Sequence, residues 1–252
     1  MALTAREAEI VKKAFKQIHD SQNFIRKIMP KQKIDKDKEV YTVETIELDE
    51  SILSETSMEV IEIPYKTSST SKRIFDLAAK LTRPRRLLTP DNFTKLSLML
   101  AKIITKSENY YGINELLTNS TVESASKSWD AATPKDIVKD IQNAVIQIQQ
   151  YTNAPINMVL PTSKATYFKT PNDYGLSPEN LLKGTITNVF ITNLVKDKAI
   201  LVPADPTVVS FNVAEDLKVD KKEDLNTAII WATEAICPSV DLKEAVIVLS
   251  GI

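Results

Sequence analysis

The sequence predicts an α+β fold, and the prediction rests on one continuous helix-to-strand stretch and on the run of strands after it. Residues 133–136 (Thr-Pro-Lys-Asp) supply a helix N-cap, a proline at the first helical position and an acid in the first turn. Ile137, Ile141, Ala144 and Ile148 then recur at helical spacing, with Lys135, Lys139, Asp140 and Gln147 on other faces. After a break over Tyr151 to Pro155, Ile156 to Leu160 reads as a short buried strand, and a second helix is expected from Pro161–Ser163. Strands crowd the remainder at Val189–Thr192, Ala199–Val202, Val208–Val213, Ala228–Ile236 and Ala245–Leu249. Lys196–Lys198 and Asp220–Asp224 read as short antiparallel connections, and the chain is expected to end on a strand tied into a sheet. An amphipathic helix feeding such strands has to be packed inside a larger body, because neither element buries its apolar face alone.

At 252 residues the chain suits one large domain or two small ones. Its 43% hydrophobic content supports a core, and a net charge of −1 gives no global attraction to nucleic acid or anionic membrane. One cysteine, Cys237, excludes an internal disulfide framework and suits a reducing compartment. No apolar run approaches the roughly 18–20 residues of a membrane span, and the N-terminus does not read as a signal peptide. A cytoplasmic location is therefore expected.

Thr4 to Met29 reads as a single helix with a stripe of Ile10, Ala14, Phe15, Ile18 and Ile25, stopped by Pro30. With the linker Lys31–Lys38 it forms a basic arm of ten cationic against five acidic residues. It is either an ordinary packed helix or an arm that docks outside its own domain. Val40–Leu48 and Met58–Tyr65 read as strands of a hairpin, joined by Asp49–Ser57 and followed by a Ser/Thr-rich turn at Lys66–Lys72. Isolated hairpins are marginal in water, so this projection calls for a partner surface such as another copy of the chain. Arg83, Arg85 and Arg86 cluster around Pro84, either as a solvated loop or as partners of a neighbour's acidic hairpin (Glu44, Glu47, Asp49, Glu50). Thr89-Pro90-Asp91 repeats the cap signature and launches a long helix to about Tyr110, with Gly112 at its C-terminal end and a polar loop or extended strand over Asn114–Trp129. Lys169–Lys183 carries every turn signal.

No constellation of residues implies catalysis. A lone His19 excludes histidine triads and histidine-cluster metal sites, and reads as a surface or interface residue. Cys237 sits in an apolar strand and reads as inert. The four glycines are isolated, which leaves no phosphate-binding glycine loop. Asp35 and Asp37 read as solvated charge in a linker, and Asp205, Asp216 and Asp220 share no spacing that implies a site. Trp129 and Trp231 read as core or interface residues. No enzyme activity, cofactor or metal is expected.

In order, the chain is a basic helical arm, an extended hairpin, a long helix, a second capped helix, a strand-rich lobe with a protruding loop, and a terminal strand. Residues 104–117 (ITKSENYYGINELL), 133–145 (TPKDIVKDIQNAV), 156–168 (INMVLPTSKATYF), 173–184 (DYGLSPENLLKG), 188–202 (NVFITNLVKDKAILV) and the final run from Asn226 resemble tailed-bacteriophage major capsid proteins of the Hong Kong 97 type, and most of all encapsulins. The resemblance implies an α+β phage major-capsid fold: an N-terminal helical arm (1–39), an E-loop (40–75) and a P-domain with a long spine helix and second helix (76–155). An A-domain (156–219) and terminal strands returning to the P-domain (220–252) would complete it. It implies a structural shell protein that self-assembles into a closed icosahedral compartment enclosing a cargo protein held by a short targeting peptide. The alternative is the major capsid protein of a tailed virus or provirus enclosing DNA, located in the virion; a monomeric α+β binding domain is a third reading. The absence of an obvious long N-terminal scaffolding region favours the encapsulin branch or a virus with a separate scaffold protein. Phe15, Ile18 and Ile25 are then the expected cargo-facing arm residues, and Thr170, Asn172, Asp173 and Tyr174 the expected pore loop. Glu47, Asp49, Glu50, Arg83, Arg85 and Arg86 are the expected inter-subunit contacts. No flavin site and no crosslinking lysine–asparagine pair can be matched.

Overall fold

The structure, a computed structural model, describes residues 3–34, 40–48, 65–87, 89–223 and 226–252. The N-terminal segment is broken where a single helix was expected. Helix α1 (Ala5–Gln22) starts at a capping box in which Thr4 Oγ1 accepts from Glu7 N–H and the Glu7 carboxylate accepts from Thr4 N–H. It ends at Asn23, and a one-turn helix α2 (Ile25–Ile28) comes next at an angle. The break is chemically coherent: Ser21 Oγ bonds back to the Gln17 carbonyl at 2.7 Å, and Asn23 Oδ1 accepts from Arg26 N–H at 3.2 Å. These local bonds compete with helix continuation.

Strand β1 (Lys31–Lys33) leads towards a ribbon of β2 (Val40–Leu48) and β3 (Tyr65–Arg73), paired antiparallel from Val40↔Arg73 to Leu48↔Tyr65. Lys66–Lys72, expected as a turn, is thus strand. Residues 49–64, including the expected connection and nearly all of the expected second strand, lie outside the described residues. The chain continues into β4 (Phe75–Pro84) and a 3-10 turn at Arg85–Leu87.

Helix α3 (Pro90–Thr118) is capped by Thr89 and runs about 43 Å at 1.5 Å per residue, two turns beyond its expected end. Gly112 is not a terminus but a contact point, because a Cβ there would stand 2.2 Å from Ile25 Cγ1. Strand β5 (Thr121–Ser124) leads to α4 (Pro134–Gln149), where the expected cap is present in full: Thr133 Oγ1 accepts from Asp136 N–H and Asp136 accepts from Thr133 N–H at 3.1 Å. Next come β6 (Ile156–Pro161), short helices α5 (Ala165–Lys169) and α6 (Pro178–Leu181), then β7 (Ile186–Thr192) and β8 (Lys198–Pro203). The long strands β9 (Val209–Glu223) and β10 (Thr227–Val240) and the final β11 (Ile247–Ser250) complete the fold.

Among the described residues one sheet has the order β1-β9-β10-β4 and another β5-β11-β8-β6-β7. The Lys196–Lys198 segment therefore does not join neighbours: β7 and β8 flank β6, parallel and antiparallel respectively. Residues 220–223, expected in a separator, extend β9 instead. Alternation along the five-stranded sheet explains its nearly continuously buried inner strands β6, β8 and β11. Val159, Ile200, Val202 and Val248 face the first core with α1, α2, α3 and the four-stranded sheet. Met158, Leu160, Ala199, Leu201, Ile247 and Leu249 face the second, beneath Ile137, Ile141, Ala144 and Ile148 of α4. A sheet covered on both sides reads as continuous hydrophobic runs. The two capped helices, grouped together by the resemblance, line different cores; of the terminal strands, β10 packs against α3, and β11 pairs with β5 and β8 while Val248 faces the core that α3 lines.

Candidate functional site

Helix α1 packs on α3, and between it and β9 lies a groove of about 330 Å³ lined by Leu3, Ala8, Val11, Lys12, Phe15, Leu217 and Val219. Phe15 is the one expected cargo-facing residue that lines it, and, like Ile18, it is itself buried in the first core. Ile18 and Ile25 do not line the groove: Ile18 is buried in the first core and Ile25 is fully buried against Gly112. Leu217 and Val219 were not anticipated, although the half-buried alternation of β9 beyond Val213 is the signal that marks them. Further along β9, Lys221 ties the strand to α1, its Nζ lying 2.6 Å from both the Glu7 and Glu223 carboxylates. Lys12, Lys13 and Lys16 are exposed on the arm, Lys13 paired with Glu9 at 2.8 Å.

Beneath the arm lies a cluster that local sequence patterns did not disclose. Arg26 Nη2 bonds the Glu108 carboxylate of α3 and, at 2.5 Å, that of Glu234 of β10. Both carboxyl groups are buried, and the guanidinium lies 5.3 Å over the Phe211 ring. Glu234 stands at a register irregularity of the β9–β10 pair, on the inward phase of its strand. Burial, reinforced by the hydrogen bond and charge of Glu234 and opposed by Arg26, pushes the Glu108 carboxyl up to about 8. His19 Nε2 is 3.7 Å from Glu108, yet burial and then Arg26 hold the imidazole down at about 4. The two shifts agree physically: a protonated Glu108 offers the imidazole no counter-charge. His19, expected at the surface or an interface, is a half-buried member of this cluster.

The expected pore loop is a self-braced tip. Asn172 Oδ1 accepts from Tyr174 N–H and Leu176 N–H, both at 3.0 Å, and Gly175 turns the chain at φ +77°. Thr170 caps α5 through its hydroxyl on the Thr166 carbonyl at 2.8 Å, and Asp173 is exposed. Tyr174 is 88% exposed, so the described residues cover little of its ring.

Of the expected inter-subunit arginines, Arg83 is exposed on β4, and Arg85 and Arg86 border a cleft of about 660 Å³ with Pro84 and Asn226. Arg85 Nε is 3.5 Å from Glu223 of the same chain, a partner other than the acidic hairpin. Glu47 stands in β2 opposite Lys66, while Asp49 and Glu50 lie outside the described residues, as do Asp35 and Asp37. Asp205 is engaged locally by Thr152 and Thr207 hydroxyls. Trp129 is fully buried in the second core. Cys237 is buried, and burial pushes its thiol up to about 12. Among the described residues no group of three or more His, Cys, Asp or Glu side chains is placed to hold a metal, and no helix is long and apolar enough to cross a membrane.

Residues 105–213 match the sequence profile of the Pa193 gp26 major capsid protein family. The fold is similar to that of a virus-like particle from Pyrococcus furiosus, with TM-score 0.75 and 19% identity over 96% of this chain and 98% of that one. It is also similar to the capsid of a native GTA particle (TM-score 0.70, 15% identity, 91% and 90% covered). A phage-related protein from Bordetella bronchiseptica RB50 gives TM-score 0.67 at 12% identity, with 96% of each chain covered. No curated protein matches the sequence. The chain has the fold of phage major capsid proteins and virus-like-particle subunits, of the Hong Kong 97 type.

Proposed function

We propose that the chain is the subunit of a closed icosahedral shell of the encapsulin type, with the α1–β9 groove holding a short apolar peptide of an enclosed cargo protein. The observation that carries the shell reading is near-complete coverage of a virus-like-particle subunit, arm included. The exposed Tyr174 tip fits contacts between copies, and a two-stranded pair such as β2–β3 is marginal by itself in water. In this reading the α4 layer and five-stranded sheet form the A-domain, and α3 with the four-stranded sheet the P-domain. The shell stands in the cytoplasm and acts as a container without catalysis. The capsid protein profile over residues 105–213 supports a second reading, a viral shell around DNA, in which Lys12, Lys13 and Lys16 face phosphate.

Light scattering of the purified protein is the test. Particles far larger than the 28.2 kDa chain are expected, and a stable monomer or dimer across concentrations overturns the proposal. Apolar docking is largely insensitive to salt, whereas phosphate binding weakens steeply with it. A co-expressed partner that survives a high-salt wash and is lost in Phe15→Asp supports the cargo groove. Nuclease-protected DNA lost on neutralising the three lysines selects the viral reading.

A further inference from the structure

The α1–α2 corner is tied to the rest of the chain by polar bonds to two adjacent residues of α3. Asn23 Nδ2 donates to Glu108, while Asn109 accepts from Ile25 N–H at 3.2 Å and donates to the Gln22 carbonyl at 3.0 Å. Arg26 then joins Glu108 to Glu234, residues 82 and 208 positions from it in the chain. One guanidinium faces two buried carboxyl groups. Among the described residues Glu234 Oε2 is buried without a donor, and the Glu108 and Glu234 Oε1 atoms share the same Arg26 Nη2, which brings the two carboxyl groups side by side.

From this geometry we propose that the Glu108–Glu234 pair is a proton-operated latch for the N-terminal arm: a single shared proton keeps α1 and α2 docked, and its loss in mild alkali loosens them. With that proton in place Glu108 donates to Glu234, and Arg26 balances the one remaining negative charge. Without it a second carboxylate charge is buried beside one cation, which costs the docked state and not the undocked one. The other charged groups around the cluster do not supply the missing counter-charge. His19 of α1 is neutral at that pH. Asp20 adds negative charge, and Lys27 of α2 is held on the Asp20 carbonyl at 2.9 Å. Lys31 of β1 pairs with Asp216 of β9 at 3.0 Å, with Lys33 at 3.9 Å, and Glu215 of β9 engages Lys218. Burial raises the folded Glu108 value above the unfolded one, so its stabilising contribution is full below about 4.5, declines as pH rises and is gone once pH passes about 8. The latch belongs to the arm itself and does not depend on whether the chain assembles.

Hydrogen exchange of the full-length protein, divided by the intrinsic rate at each pH between 6 and 9.5, reads the latch directly. Protection of residues 5–28 should fall by roughly tenfold or more, the equivalent of at least one pKa unit, while α4 stays unchanged. Glu108→Gln mimics the protonated carboxyl and should abolish the step. Glu234→Gln removes the like-charged neighbour and should move the step to lower pH, whereas His19→Gln should leave it in place. A flat wild-type profile, a step that persists in Glu108→Gln, or equal loss of protection in α4 overturns the proposal.

Discussion

Gly112 and Ile25 touch where two helices cross: a Cβ added to Gly112 would lie 2.2 Å from Ile25 Cγ1 and 2.7 Å from its Cδ1. Only glycine lets α3 pass so close beneath α2. Gly112→Ala therefore trades better helix propensity for a clash in a fully packed core, and overpacking wins. We expect a net loss of about 1–3 kcal/mol in urea denaturation. Truncation to Ile25→Ala costs stability through its cavity, but the double variant should be more stable than the two losses summed, a coupling that a double-mutant cycle measures. Strictly additive losses would show that the contact is not the constraint.

Arg85 and Glu223 form the ion pair nearest the mouth of the arginine cleft, with Arg85 itself well exposed. Pairs of this kind contribute about 0–1 kcal/mol. Arg85→Ala should leave subunit stability within that range. If Arg85 also serves a neighbouring subunit, particle yield falls while the folded subunit persists; normal particles confine its role to its own chain.

His19 sets the acid side of the stability profile. Its folded value is depressed to about 4, chiefly by burial and then by Arg26, from an ordinary value of 6.5. A depressed imidazole stabilises fully above 6.5, and that contribution is lost progressively as pH falls towards 4. Glu108 works in the opposite sense between about 8 and 4.5, so the His19 contribution has to be read as a difference. Wild type minus His19→Gln should decline by about 1–3 kcal/mol between pH 7 and pH 4. A difference that stays constant with pH removes His19 from the titrating set.

Cap chemistry made α4 legible in the sequence, because every signal lies within four residues and nothing in the packing overrides it. Gly112 shows the opposite situation. Glycine usually ends a helix, but here a residue 87 positions away demands it inside one, and local grammar cannot express that demand. Lys66–Lys72 misled for a related reason. A Ser/Thr-rich ribbon strand carries no apolar alternation, so it has a turn's composition and a strand's backbone. The order β5-β11-β8-β6-β7 was likewise invisible, since it is fixed by crossovers rather than by runs of residues. Within the candidate site, the apolar stripe gave Phe15 but not its partners Leu217 and Val219. The Arg26–Glu108–Glu234 cluster left no local trace, as its members come from three distant segments.

The single buried thiol of Cys237 makes the subunit almost blank to cysteine chemistry. At neutral pH a group that titrates near 12 offers maleimides and disulfide reagents almost no thiolate, and its burial denies them access as well. One new cysteine at position 174, on the exposed tip, would then be the only reactive thiol in each copy. A dye, spin label or gold cluster attached there reports from one defined point, without any background substitution in the core. If many copies assemble, the same point is repeated by symmetry, and distances between labels become a direct ruler of how the copies are arranged.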